Sequence, residues 1–230
     1  EILASPLRFE AVQNGRALPW ETVRPAHCIQ KSSGEVSFRS EQSAPGLKRH
    51  TGVTVEMDGR IGILITLEAT ASLALDGLRL AYRLPLDICR YGLEPAPWFW
   101  ENTDNSKLGF ACPEKSERPL AKFKGMWTGD YNAGLGININ TLHRDWQKGH
   151  NAFFRQVKEG EGCTVEIDSG SLSLKAGDRL ALEFILYVTP FKPLSKEHWH
   201  WRYYHQGYGK DIDLAQGIQA GATIFTQHQG

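Results

Sequence analysis

The chain has 230 residues, enough for one large all-β domain or two small ones with a real core. Hydrophobic residues make up 41% and charged residues 23%, an ordinary globular balance, and Lys plus Arg equals Asp plus Glu at 26 each. No global field therefore draws the chain to nucleic acid or to an anionic membrane, and neither is expected as a partner.

The least charged stretch, 61–78, is broken by Glu68 and Asp76 and falls short of the roughly 20 apolar residues a membrane span needs. The chain opens at Glu1 with no methionine, basic n-region or apolar h-region, so a removed leader and a start inside a longer protein both fit. Cys28, Cys89, Cys112 and Cys163 lie far apart with no Cys-x-x-Cys, which argues against a zinc ribbon or a redox motif. An oxidising compartment would allow them three pairings. Free buried thiols are the expectation, since a domain of this size needs no staples.

Short alternating or β-branched runs recur along the chain, bounded by Gly, Asn, Asp and Pro. Leu7–Val12 alternates as a half-buried strand does, and Asn14-Gly15 follows as a turn. Glu35–Arg39 is another short strand. Gly52–Met57 and Ile61–Leu67 flank Asp58-Gly59 and predict a hairpin. Two apolar runs lie within Leu73–Leu86 around Asp76-Gly77. Strands are then predicted at Leu108–Ala111, Leu120–Trp127 and Leu135–Ile139. Cys163–Ile167 and Ser171–Leu174 flank Asp168-Ser169-Gly170 and predict a second hairpin, and Arg179–Val188 is the longest apolar strand. About a dozen strands without a long amphipathic helix before residue 190 predict an all-β, large two-sheet antiparallel β-sandwich.

The character changes after Val188. Thr189-Pro190-Phe191-Lys192-Pro193 cannot continue a central strand, because two prolines remove ladder donors, so it reads as an exit linker. Between His198 and Tyr208 lies an aromatic, histidine-rich segment without a clear period. Asp213–Ala220 fits two helical turns, and Ala222–Phe225 a short apolar strand with no parallel neighbour in this sequence. Helix, buried strand and polar stop are how an α/β barrel begins, but a barrel takes about 250 residues. The predicted division is a sandwich over 1–190, then a linker and the first element of a truncated (β/α)8 barrel over 191–230.

Three pieces carry a family resemblance: Thr189–Pro193, Arg202 with its aromatic neighbours, and Gly221–Gly230. They resemble the boundary between the N-terminal domain and the barrel in proteins similar to glycoside hydrolase family 123. The motifs cover about a fifth of the chain, and the remainder matches in architecture alone. The resemblance implies a supersandwich of the galactose-mutarotase-like kind in front of a catalytic barrel. It implies a parent acting on glycans, hexosamine-containing ones among them, in a secreted or periplasmic bacterial setting. Its catalysis would resemble substrate-assisted glycoside hydrolysis by adjacent acidic residues in the barrel. No two acidic residues are adjacent here, so no catalytic residue is carried over.

Direct searches for chemistry give little. Asp211 and Asp213 fit helix capping, and Glu101 and Asp104 sit in a polar loop. His198, His200 and His205 form a cluster without an evident fourth ligand, so no metal or other cofactor is expected. Gly134-x-Gly136 alone is too weak for a dinucleotide site and is read as turn glycine.

The tryptophans say more. Trp98, Trp100 and Trp127 with Asp130 could form a sugar platform, because pyranose C–H faces lie on flat rings and carboxylates accept hydroxyl hydrogen bonds. Filling the core of the sandwich is the competing role for these indoles. Trp199, Trp201, Arg202 and His228 are expected at the domain junction. Three functions follow: a non-catalytic domain supporting the missing barrel and touching its glycan, a stand-alone carbohydrate-binding module, or a complete all-β glycosidase or lyase.

Overall fold

The computed structural model describes residues 2–93, 111–139, 141–190, 197, 200–206 and 214–227. The chain divides into two compact units, Glu1–Lys192 and Pro193–Gly230. No helix among the described residues is long and apolar enough to cross a membrane.

The first unit is built of strands: β1 (Ser5–Gln13), β2 (Arg16–Ala17), β3 (Glu21–Lys31), β4 (Glu35–Ala44), β5 (Leu47–Glu56), β6 (Arg60–Ala69), β7 (Leu73–Leu75) and β8 (Gly77–Pro85). There follow β9 (Tyr91–Leu93), β10 (Lys115–Pro119), β11 (Gly125–Gly129), β12 (Gly134–Asn138), β13 (Phe153–Glu159), β14 (Gly162–Asp168), β15 (Leu172–Leu174) and β16 (Arg179–Thr189). A six-stranded sheet runs β10-β13-β14-β8-β1-β2, an eight-stranded sheet runs β3-β4-β5-β6-β16-β12-β11-β9, and β15 pairs β7 in a small third one. Every pairing in them is antiparallel. This is the predicted two-sheet sandwich.

Its core follows the two-residue period of a strand. Leu78, Leu80, Tyr82 and Leu84 of β8 are buried, as are Cys163, Val165 and Ile167 of β14. Leu180, Leu182, Phe184 and Leu186 of β16 and Leu135 and Ile137 of β12 face them from the other sheet. Trp146, in a single helical turn at Asp145–Gln147, is fully buried between the layers. Its ring meets Phe9 of β1 edge-on at 6.2 Å and Phe184 of β16 at 6.3 Å, and its Nε1 donates to the Glu183 carbonyl at 3.2 Å.

Arg49 of β5 bridges the layers nearby. Its guanidinium lies 4.4 Å from the Trp20 ring centroid and 5.4 Å from that of Phe9, and it donates to the Phe9 carbonyl at 3.3 Å. Burial lowers its pKa to about 10, so at neutral pH it keeps the charge that the two rings engage.

Three local expectations need correction. Cys163–Ile167 and Ser171–Leu174 do not form a hairpin, because β14 pairs β13 and β8 while β15 crosses to β7. The Asp168-Ser169-Gly170 corner is tied elsewhere: Asp168 accepts from Gly170 N at 2.8 Å and pairs with Arg79 at 3.1 Å, and Ser169 Oγ accepts from Leu78 N at 2.9 Å. Leu120–Trp127 is not one strand. Leu120–Lys122 makes a 3-10 turn whose i, i+3 spacing sends Leu120 and Phe123 into the core, where Phe123 stacks on Phe154 at 4.1 Å. Cys28 is exposed, whereas Cys89, Cys112 and Cys163 are the buried thiols expected. Of the segment 108–111, only Ala111 lies among the described residues, in a bridge to Tyr91.

The second unit contains β17 (Tyr203–Gln206), a short helix α1 (Leu214–Gln219) and β18 (Ile224–Gln227). β17 and β18 pair in parallel, Tyr203 opposite Ile224. The last strand therefore has a parallel neighbour, contrary to the sequence reading, and the helix lies in the crossover that such a pair requires. Thr223 N donates to the Arg202 carbonyl and Arg202 N to Thr223 Oγ1, both at 2.9 Å, extending the pairing beyond the strands.

Truncating the buried indole tests the inter-sheet bridge. Trp146→Ala should lose about 3–5 kcal/mol of stability, read as a lower urea midpoint at unchanged m-value, and Trp146→Phe distinctly less. An unchanged midpoint for Trp146→Ala would contradict the packing described.

Candidate functional site

The inward residues of the eight-stranded sheet decide what its other face carries. With Phe184 and Leu186 turned inward, Ile185 and Tyr187 of β16 point away from the core. With Leu135 and Ile137 inward, Gly134, Gly136 and Asn138 of β12 point away as well. Trp127 of β11 sits opposite Gly136, and Gly136 opposite Tyr187, so these three share the outer face.

Trp127 lies down on this face. A Cβ built on Gly134 would come within 2.5 Å of its Cε2 and 2.7 Å of its Nε1, and one on Gly129 within 2.6 Å of its Cζ2. The two glycines are thus a floor on which the indole rests. The indole Nε1 donates to Thr189 Oγ1 at 2.8 Å, which fixes the ring in its plane at the last residue of β16.

Gly136 differs from its neighbours. A Cβ there would find Tyr187 at 3.5 Å and Trp127 Cδ1 at 3.6 Å, ordinary van der Waals contacts. It marks a notch between the two rings. Gly134 and Gly136 therefore serve a strand surface and not turns, as the sequence reading had them.

Trp127 is half-buried, while Tyr187 is 40% and Tyr131 71% exposed. Arg60 opposite Tyr187 is paired with Glu56, and although burial works against its charge, Glu56 and Tyr187 raise its pKa. Asp130, in the turn joining β11 to β12, accepts from Asn132 N at 2.7 Å and Ala133 N at 2.8 Å through Oδ1. Slight burial works upward on its pKa, but these N–H groups and Arg90 hold it below the usual carboxylate value. Its first task is to shape the turn, which leaves Oδ2 with a single 3.4 Å contact from the Asn132 amide.

Of the platform residues expected from sequence, Trp127 lies on the outer face of the eight-stranded sheet and Asp130 in the turn that follows β11. Trp98 and Trp100 lie outside the described residues, as do Glu101, Asp104, Asp211 and Asp213. Of the junction set, Trp201 and Arg202 are described and exposed, whereas Trp199 and His228 fall outside. Among the described residues no group of three or more His, Cys, Asp or Glu side chains is arranged to hold a metal. Sequence reasoning missed Tyr187, Thr189 and the glycine floor. The available signal was glycine at alternate positions of a strand, which leaves one face without side chains.

A two-sheet antiparallel sandwich with an aromatic plate on one outer face defines the class of this domain. A family model described as "Glycoside hydrolase 123, third domain" matches residues 1–190, so the chain belongs to that family. The putative aldose 1-epimerase of Escherichia coli K12 is 11% identical over 78% of this chain and 78% of its own, with a TM-score of 0.42. A galactose mutarotase related enzyme of Lactobacillus acidophilus is 10% identical over 72% of this chain and 71% of its own, with a TM-score of 0.43. A heparan sulfate lyase of Pedobacter heparinus is 8% identical over 78% of this chain but 23% of its own, also at 0.43. No curated protein sequence matches the chain.

Alanine at the two strand glycines should separate floor from notch. Gly134→Ala should displace the indole, change the near-ultraviolet circular dichroism and cost about 1–3 kcal/mol. Gly136→Ala should leave the spectrum and stability close to wild type. Equal effects of the two substitutions would count against the flat indole.

Proposed function

We propose that this chain is the non-catalytic β-sandwich domain of a multi-domain glycoside hydrolase, and that its eight-stranded sheet contacts the glycan through Trp127. The observation that carries this reading is the indole laid flat on Gly129 and Gly134 and held by Thr189. A ring so placed offers one face to a partner, and a flat aromatic face suits the C–H side of a pyranose. The Tyr187 phenol on the same face, and Asp130 and Tyr131 in the turn after β11, carry polar atoms that can exchange hydrogen bonds with hydroxyls. Thr189, whose hydroxyl holds the indole, is the last residue of β16.

Membership of a glycoside hydrolase family supports a glycan as the ligand. Three carboxylates of the sandwich are engaged in structure, which supports a non-catalytic role: Asp168 with Arg79, Glu166 with Arg79 and Arg155, Asp130 with its turn. Hydrolysis is assigned to the barrel of the parent, of which the second unit is the opening part.

Calorimetric titration of the full chain with soluble neutral glycans checks the reading. Trp127→Ala should weaken binding about tenfold, or roughly 1.4 kcal/mol, with Tyr187→Ala weakening it less. The pure chain should not turn over chromogenic hexosaminides. Unaltered affinity in Trp127→Ala would sink the platform, and turnover abolished by an Asp130 substitution would sink the non-catalytic assignment.

A further inference from the structure

Three of the four cysteines meet at one end of the six-stranded sheet, inside the core. Cys163 of β14 is fully buried, with Leu84 of β8 on one side and Lys158 of β13 on the other. Gln156, two residues before Lys158 and on the same face of β13, is also fully buried, and its Nε2 lies 2.6 Å from Cys112 Sγ. Cys112 therefore sits beside Cys163, above the diagonal between neighbouring strands.

Cys89 arrives by a second route. Its N–H bonds to the Leu86 carbonyl at 3.1 Å, and Leu86 N bonds to the Glu161 carbonyl at 3.0 Å, which fastens this turn to the start of β14. Cys112 N in turn donates to the carbonyl of Arg90, the residue after Cys89, at 3.0 Å. Cys89 is 1% exposed and Cys112 4%.

The thiols act on one another. A hydrogen bond with Cys163 is the largest influence raising the Cys112 pKa, with burial behind it. The same bond pulls Cys163 down, but a second bond with Cys89 and burial outweigh it and leave Cys163 pushed up to about 12. Cys163 neighbours both thiols, and Gln156, whose amide touches Cys112 Sγ, is its diagonal neighbour across the β13–β14 pair.

We propose that Cys112 and Cys163 are joined as a disulfide when the chain folds in an oxidising compartment, with Cys89 remaining beside them as a thiol. Each of the two sulfurs gives up its hydrogen, one S–S bond forms, and a small disulfide such as oxidised glutathione is cleaved to two thiols. The bond closes a ring over residues 112–163 and ties the Cys112 segment to the middle of the six-stranded sheet, restricting the unfolded chain most where the loop is long. Cys28 stands apart: it is exposed on β3, and its thiol donates to the Gln30 carbonyl at 3.3 Å.

Refolding the full chain from urea in a buffer of reduced and oxidised glutathione, followed by acid quenching, alkylation and peptide mapping, tests this. The expected map holds one cross-linked peptide pair, Cys112 with Cys163, and alkylated Cys28 and Cys89. The oxidised chain should melt roughly 5 °C or more above the reduced one. Cys28→Ala and Cys89→Ala should keep the cross-link, and Cys112→Ala should lose both it and the thermal gain. Four alkylated cysteines in the refolded wild-type chain overturn the proposal, as does a cross-link through Cys89 or Cys28. The wild-type map decides even if a variant fails to fold.

Discussion

The fold depends on Trp146 holding the two sheets in register with each other. Its indole touches Phe9 on one sheet and Phe184 on the other, and its N–H is satisfied by the Glu183 carbonyl, so the ring is fixed in three directions. The turn that delivers it is also tied to β16, since Asp145 Oδ2 accepts from Ala181 N at 2.8 Å. Arg49 works beside it, its charge set against Phe9 and Trp20. Because a strand has a period of two, fixing Phe184 inward fixes Tyr187 outward, three residues on. A slip of one residue would reverse both. The outer plate is thus a consequence of the inner packing.

Local turn chemistry was legible where it acts alone. Asn14 and Gly15 have φ of 51° and 73°, the left-handed values that a two-residue hairpin demands, and β1 and β2 pair across them. Gly59 at 86° does the same for β5 and β6. Misreadings arose where tertiary ties override the turn signal. Asp168-Ser169-Gly170 has the composition of a hairpin, yet Arg79 and Leu78 claim its polar atoms and the chain continues to another strand. β3 left no pattern to read because all eleven of its residues are exposed, so no alternation is imposed on it. Pro25 and three register shifts against β4 mark it as an edge that resists further pairing. β17 went unread for a related reason: a four-residue strand is too short to display a period.

The family was read from one part of the chain and is shown by another. The quoted motifs lie between Thr189 and Gly230, while the matching family model spans 1–190, where sequence reasoning found architecture but no motif. A sandwich core asks for apolar residues at alternate positions and accepts many of them, so its sequence carries little that can be quoted by eye. At the plate, Trp127 and Asp130 stood out through residue type. Tyr187 and Thr189 come to it from sixty residues further along, through the pairing of β12 with β16, and no local window contains that information.

The glycines beneath Trp127 are the main support for the proposal that this indole contacts a partner. Glycine inside a strand costs about 0.5–1 kcal/mol relative to alanine, and β11 and β12 together carry Gly125, Gly129, Gly134 and Gly136. Gly125 is explained by backbone alone, since a Cβ there would come within 2.6 Å of the Ile137 carbonyl oxygen. Gly129 is constrained in the same way by the Ala133 carbonyl at 2.5 Å, although it also lies beneath the indole. Gly134 is opposed by Trp127 itself, and Gly136 by nothing closer than van der Waals contact. An indole needed only for packing could point into the core, as Trp146 does, without weakening a strand. Laid flat on Gly134 instead, Trp127 stays on the outer face of the sheet, which is where the proposed contact with a glycan needs it.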